Sequence, residues 1–198
     1  MKKLIALLLA AVLCLSLAAC GGKKDENTGV SGESDAPANI VVDGKEISAK
    51  DFLIEHLSAY IQSDEYLART AAFEENFATD AQPFAVTYAF ELKTNIGSEN
   101  MPVHFFMVKA NCDSFSDRGS FDTVTMAIDY DTGTVYDQFS VDESWMEKSE
   151  KEQVIYIAAA GGCFGNADYN GEPIFVDSEI HIPLSDSDIA EVNQALSK

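Results

Sequence analysis

The chain has 198 residues, 46% of them hydrophobic, and its 33 Asp+Glu against 13 Lys+Arg give a formal net charge of −20 at pH 7. A surface this acidic repels phosphate backbones, which argues against nucleic acid as a partner. The length suits one ordinary domain once a leader is set aside, long enough to bury a core without staples.

The leader comes first. Lys2 and Lys3 precede a run from Leu4 to Leu17 that is apolar apart from Ser16. At about fourteen residues the run is shorter than the roughly 20 that span a bilayer, so it reads as the apolar part of a signal peptide. It closes on Leu17-Ala18-Ala19-Cys20. This stretch resembles the lipobox of bacterial lipoproteins, a Leu-Ala/Ser-Gly/Ala-Cys pattern. The resemblance implies that residues 1–19 are removed and that Cys20, the new N-terminus, carries a diacylglycerol. The protein would then be held by that lipid on the extracytoplasmic face of the cell membrane. Residues 20–39 are rich in Gly, Ser, Asp, Glu and Asn, with Val30 the one large apolar side chain. Such a stretch buries too little surface to fold. It is expected to be a disordered tether, with an r.m.s. reach of roughly 25 Å.

Residues 40–198 are then expected to form a single globular domain. It keeps the whole charge imbalance, because the first 39 residues hold four basic and four acidic side chains. Ile40 to Ile47 is two apolar stretches around Asp43-Gly44, a hairpin signal. Ser48, with Asp51 three residues on, caps a helix. Phe52, Leu53, His56, Leu57, Tyr60 and Ile61 follow at helical spacing, and the stripe continues to about Ala78, with a break near Ser63. Pro83 stops it.

The period then changes to two. Phe84, Val86, Tyr88, Phe90 and Leu92 alternate with Ala85, Thr87, Ala89, Glu91 and Lys93, the pattern of a half-buried strand. Val103 to Cys112 is apolar on both faces around Phe105 to Val108, as in a central strand. Phe121 to Tyr130 and Thr134 to Val141 read as two more strands, joined at Asp131-Thr132-Gly133. Ser149 and Glu152 form a capping box for a short helix stopped by Gly161-Gly162. Pro173–Val176 and Glu179–Leu184 read as short strands, and Ser185 caps a last helix to about Leu196. The expected class is α+β: an N-terminal helical region packed on a four-stranded antiparallel meander, with short strands and two short helices in the C-terminal third.

Few residues carry a chemical signal. Asp129 and Asp131 are the nearest approach to a metal site. An EF-hand loop needs a ligand at position five, glycine at six and glutamate at twelve. Counted from Asp129 those positions hold Gly133, Thr134 and Ser140. The hairpin explains Asp-Thr-Gly without a cation, since Gly133 can adopt positive φ. His56, His104 and His181 fall in separate elements. His104 and His181 would have to lie on neighbouring strands to share a carboxylate at a metal, and no spacing requires it. Cys14 lies in the leader, leaving Cys112 and Cys163 as an even pair, either bridged or as two buried thiols. A nucleophilic Cys163 served by His181, with Asn166 or Asp168 as orienter, is disfavoured by its place after a helix C-terminus. Trp145 with Tyr136, Phe139, Tyr156 and Tyr169 suits core packing better than a sugar platform. No Gly-x-Ser-x-Gly elbow and no Ser-x-x-Lys occurs.

The sequence thus points to a membrane-tethered extracytoplasmic module that binds a protein or a small molecule, without an expected cofactor. The alternative is an envelope hydrolase or an accessory subunit of an envelope complex.

Overall fold

The computed structural model of the chain describes residues 39–42, 45–96, 101–140, 143–160, 168–169, 172–173 and 175–198. The expected signal peptide, the lipid site Cys20, most of the tether, the Asp43-Gly44 turn and Cys163 lie outside the described residues. Among the described residues no helix is long and apolar enough to cross a membrane.

Strands β1 (Asn39–Val42) and β2 (Lys45–Ser48) pair antiparallel, with Ile40 opposite Ile47. Helix α1 (Ala49–Ile61) starts at Ser48, whose side chain accepts from the Asp51 N–H at 3.0 Å. One turn of chain separates it from α2 (Asp64–Phe77), which is capped in turn by Ser63. A second serine cap offers the backbone an alternative to continuing the first helix, which is why the stripe breaks there.

Four strands follow: β3 (Ala85–Ile96), β4 (Met101–Ser116), β5 (Gly119–Asp129) and the short β6 (Val135–Asp137). A 3-10 turn over Glu143–Glu147 leads to α3 (Glu150–Ala159), where Ser149 and Glu152 make the reciprocal capping box. The small pair β7 (Asp168–Tyr169) and β8 (Glu172–Pro173) precedes β9 (Phe175–His181), and α4 (Asp186–Leu196) closes the fold.

The four-stranded meander expected from the sequence is corrected by the sheet itself. It has five antiparallel strands in the order β6-β5-β4-β3-β9. The fifth comes from the C-terminal third, where two short strands were expected. It runs as one strand beside β3, with His181 opposite Glu91 and Ile180 opposite Leu92. The helical cover is also broader than a single N-terminal region. Phe52, Leu53 and Leu57 of α1 share one core with Val192 and Leu196 of α4 and with Phe106, Val108, Val124, Met126 and Ile128 of the sheet. On the opposite face Val154, Ile155, Ala158 and Ala159 of α3 pack on Phe90, Leu92, Phe105 and Met107. Covering both faces is what makes β4 apolar on both.

A second correction concerns β3. The register slips between Val86 and Tyr88, a bulge that moves the following residues to the other face. Val86 and Ala89 therefore belong to the α1–α4 core, while Phe90 and Leu92 join the α3 core. The face expected to meet water carries Ala89 and Glu91, both buried. Asn193 of α4 fixes the bulge: its amide oxygen accepts from the Val86 N–H at 2.7 Å and its amide nitrogen donates to the Val86 carbonyl at 2.9 Å.

Candidate functional site

Glu91 lies on β3, the strand next to the β9 edge of the sheet, and is only 7% exposed. An ionised carboxylate at that depth needs partners. Two histidines provide them from the flanking strands. His104 Nε2 lies 2.5 Å from Oε1, and His181 Nδ1 lies 3.1 Å from Oε2. Lys93, two residues along β3, brings its ammonium to 3.6 Å of Oε1. Strand register explains the meeting: His181 is directly opposite Glu91, and His104 is opposite Lys93, one diagonal step away. Burial pushes the Glu91 carboxyl up, but hydrogen bonds from His181 and His104 outweigh it and hold the group below the ordinary carboxylate range. Burial pushes His104 down, and the Glu91 carboxylate only partly offsets that.

An aromatic stack backs the cluster. The His104 ring lies 3.8 Å from Tyr130 at 5°, and Tyr130 stacks on Phe52 at 4.9 Å. Phe52 in turn meets the edge of His56 at 4.4 Å. Tyr130 is 2% exposed and its hydroxyl has no hydrogen-bond partner among the described residues; burial first, then the Glu91 charge, pushes its ionisation far up. His104 also borders an open hollow of about 530 Å³, whose wall includes Lys93, Asp131, Asp177 and Glu179. Asp177 is one of two non-glycine residues at positive φ among the described residues, at 53°. It lies where β9 slips register against β3, between the Lys93 and Asn95 pairings.

The acidic hairpin has a different logic from a calcium loop. Asp129 is buried, and its Oδ1 accepts from the Asp131 N–H at 2.8 Å, a turn made by the side chain itself. The positive partner is Lys151 of α3, 3.0 Å from Asp129 Oδ2 and 2.7 Å from Asp131 Oδ2. The ammonium occupies the place a cation would take. Among the described residues no three His, Cys, Asp or Glu side chains are grouped to hold a metal ion. Gly133 has φ +66°, and a Cβ added there would meet His56 Cε1 at 2.3 Å, so the hairpin needs glycine both for its turn and to lie against α1.

Cys112 is buried in the α1–α4 core, and burial pushes its thiol up to about 12, which disfavours the thiolate a nucleophile needs. Its proposed partner Cys163 is outside the described residues. Of the aromatic set, Tyr136 and Tyr156 meet edge to face at 5.0 Å in the α3 core, while the side chains of Trp145 and Tyr169 are not described.

Sequence reasoning missed two groups. Glu91 was hidden by the bulge, which reversed the face assignment. Arg69 of α2 is the other: its guanidinium reaches Asp137 Oδ2 at 2.6 Å and also pairs with Glu65. The available signal was scarcity, since the chain has only two arginines, Arg69 and Arg118, and Arg69 falls inside an amphipathic helix.

Comparison with known proteins finds no matching family model, no matching curated protein and no matching solved structure.

Proposed function

We propose that this protein is a binding module tethered by a lipid on Cys20 to the extracytoplasmic face of a cell membrane. The lipobox-like Leu17-Ala18-Ala19-Cys20 supports the tether. The observation that carries the binding reading is the open hollow at the end of the sheet. There polar side chains from β3, β4 and β9 and the acidic hairpin surround exposed surface beside the Glu91 cluster. Such a hollow offers hydrogen-bonding groups of both charges, which suits recognition of an extended or polar ligand.

A hydrolase is the second reading, and one observation favours it. A carboxylate orienting an imidazole is half of an acid–base relay, and Glu91 holds two. The rest of such a site has no support: the described cysteine is buried with a raised ionisation, and no serine is hydrogen-bonded to His104 or His181 in the described contacts.

Two measurements test the proposal. Cells fed labelled palmitate should incorporate it into this chain and lose the label with Cys20→Ser. Thermal unfolding of the chain against sugars, peptides and amino acids should find a ligand class, because binding at 100 times Kd adds about 2.7 kcal/mol. Absence of label overturns the tether. Turnover of ester, amide or glycoside substrates that is lost in His181→Ala overturns the binding reading in favour of the hydrolase.

A further inference from the structure

The two edges of the sheet are finished differently. At one edge β6 is three residues long, and Asp137 ties it to Tyr60 and Arg69. At the other edge β9 is a seven-residue strand, and among the described residues no strand pairs with its outer side. Every residue from Asp177 to Ile182 is exposed. That is unusual for a strand in a packed sheet, where at least one face is normally covered. Ile180 and Ile182 are 63% and 55% exposed. The alternation sorts these residues by chemistry. Glu179 and His181 stand opposite Lys93 and Glu91 on the face of the hollow, whereas Ile180 stands opposite Leu92 on the other face.

An uncovered edge presents a row of backbone donors and acceptors ready for another strand. We infer that β9 accepts an extended segment of a partner protein in which basic residues alternate with apolar ones. This deepens the binding reading given above and rests on it. The occupant follows from charge and pattern. Side chains of an added strand alternate across the sheet, so one set lies beside Ile180 and Ile182 and the other beside Glu179 and Asp177. Asp177 and Glu179 line the hollow with Asp131. Asp131 is matched by Lys151. Lys93 is drawn to Glu91. Asp177 and Glu179 form no ion pair among the described residues, so the face offers a net negative surface. A second copy of this chain is disfavoured as occupant, because each copy brings a net charge of −20. The bulge at Asp177 bends the strand and sets the start of the docking stretch, leaving Ser178 to Ile182 to pair.

The test uses the intact chain in detergent and three synthetic hexapeptides: Lys-Val repeated three times, Glu-Val repeated three times, and three lysines followed by three valines. Binding is read by calorimetry, and its place by amide hydrogen exchange. The alternating basic peptide should bind, slow exchange within residues 178–182, and weaken as salt is raised. Glu179→Lys should weaken it about tenfold or more, and Ile180→Lys should weaken it without changing the unfolding midpoint of the free protein. If Glu179→Lys fails to fold, Glu179→Gln, which removes the charge and keeps the shape, gives the same reading in a smaller loss. Equal binding of the block peptide or the acidic peptide overturns the inference, as does binding that leaves residues 178–182 unprotected, or no binding at all. Protection of 178–182 that grows with protein concentration alone overturns it in favour of a second copy. A chain that ignores the peptides yet is acylated at Cys20 and stabilised by a small molecule loses the edge and keeps the module.

Discussion

Asp137 and Glu91 are both buried carboxylates, 1% and 7% exposed, and they sit toward opposite edges of the same sheet. Asp137 is surrounded by groups that do not change charge in the physiological range. Its Oδ2 accepts from Arg69 at 2.6 Å and from the Tyr60 hydroxyl at 2.8 Å, and its Oδ1 accepts from the Phe139 N–H at 2.8 Å and from Ser140 Oγ at 2.6 Å. Arg69 also lies over the Phe139 ring at 5.0 Å. Glu91 is held instead by two imidazoles, one of which has a side chain 63% exposed. The first arrangement joins α1, α2 and β6 into one fixed corner. The second leaves an edge whose charge can respond to its surroundings. The same residue chemistry, a buried acid, thus serves as a fastener at one edge and as part of an accessible surface at the other.

Breaking the fixed corner should have the largest effect. Arg69→Met leaves Asp137 charged and buried with its strongest donor gone, and removing one partner of such a pair costs about 3–5 kcal/mol. Chemical unfolding reads this as a lower midpoint. The Arg69→Met/Asp137→Asn double change should cost less than the single one, because no uncompensated charge remains. If the single change costs under about 1 kcal/mol, the value of an exposed pair, the corner is not a fastener and the contrast with Glu91 fails. Next in size is Gly133→Ala. Positive φ costs an alanine about 1–2 kcal/mol, and the contact with His56 adds to it. A His56→Ala background should relieve the contact part and leave the backbone part, so a double-mutant cycle separates the two. An equal cost in both backgrounds would mean that the hairpin does not press on α1.

The corner and the open edge were not equally legible in the sequence. Caps were readable because they are local: Ser48, Ser149 and Ser185 each bond within three residues, and each begins a helix. The Asp131-Thr132-Gly133 turn was readable for the same reason. Non-local pairing was not. One bulge after Val86 reverses which side of β3 faces the helices, and nothing in an alternating run announces it. The partnership of Asn193 with Val86 spans 107 positions, and that of His181 with Glu91 spans 90. Two short apolar stretches after Gly171 gave no sign that they form one strand lying beside β3. The strand count, and with it the Glu91 cluster, therefore emerges only when the register is known.

The mildest change at neutral pH should be Glu91→Gln, and it tests whether the cluster acts as a unit. The amide still accepts one imidazole N–H, and the second imidazole can shift tautomer and accept from the amide, so the loss is about 1 kcal/mol. The pH dependence is more telling. In the natural protein burial holds His104 below the ordinary imidazole value of 6.5, so the unfolded chain takes up its proton first and stability falls as pH drops below 6.5. Glu91 is held below its ordinary 4.5, so its contribution is present above 4.5 and is lost as pH falls through the lower folded value. In Glu91→Gln no carboxylate offsets the burial of His104, which becomes harder to protonate. Stability should therefore fall more steeply below pH 6.5 than in the natural protein, while the further loss belonging to Glu91 below 4.5 disappears. Unfolding midpoints followed across both windows decide it. An unchanged slope below 6.5 would mean that His104 does not sense Glu91, and the edge would then lack the titratable character that sets it apart from Asp137.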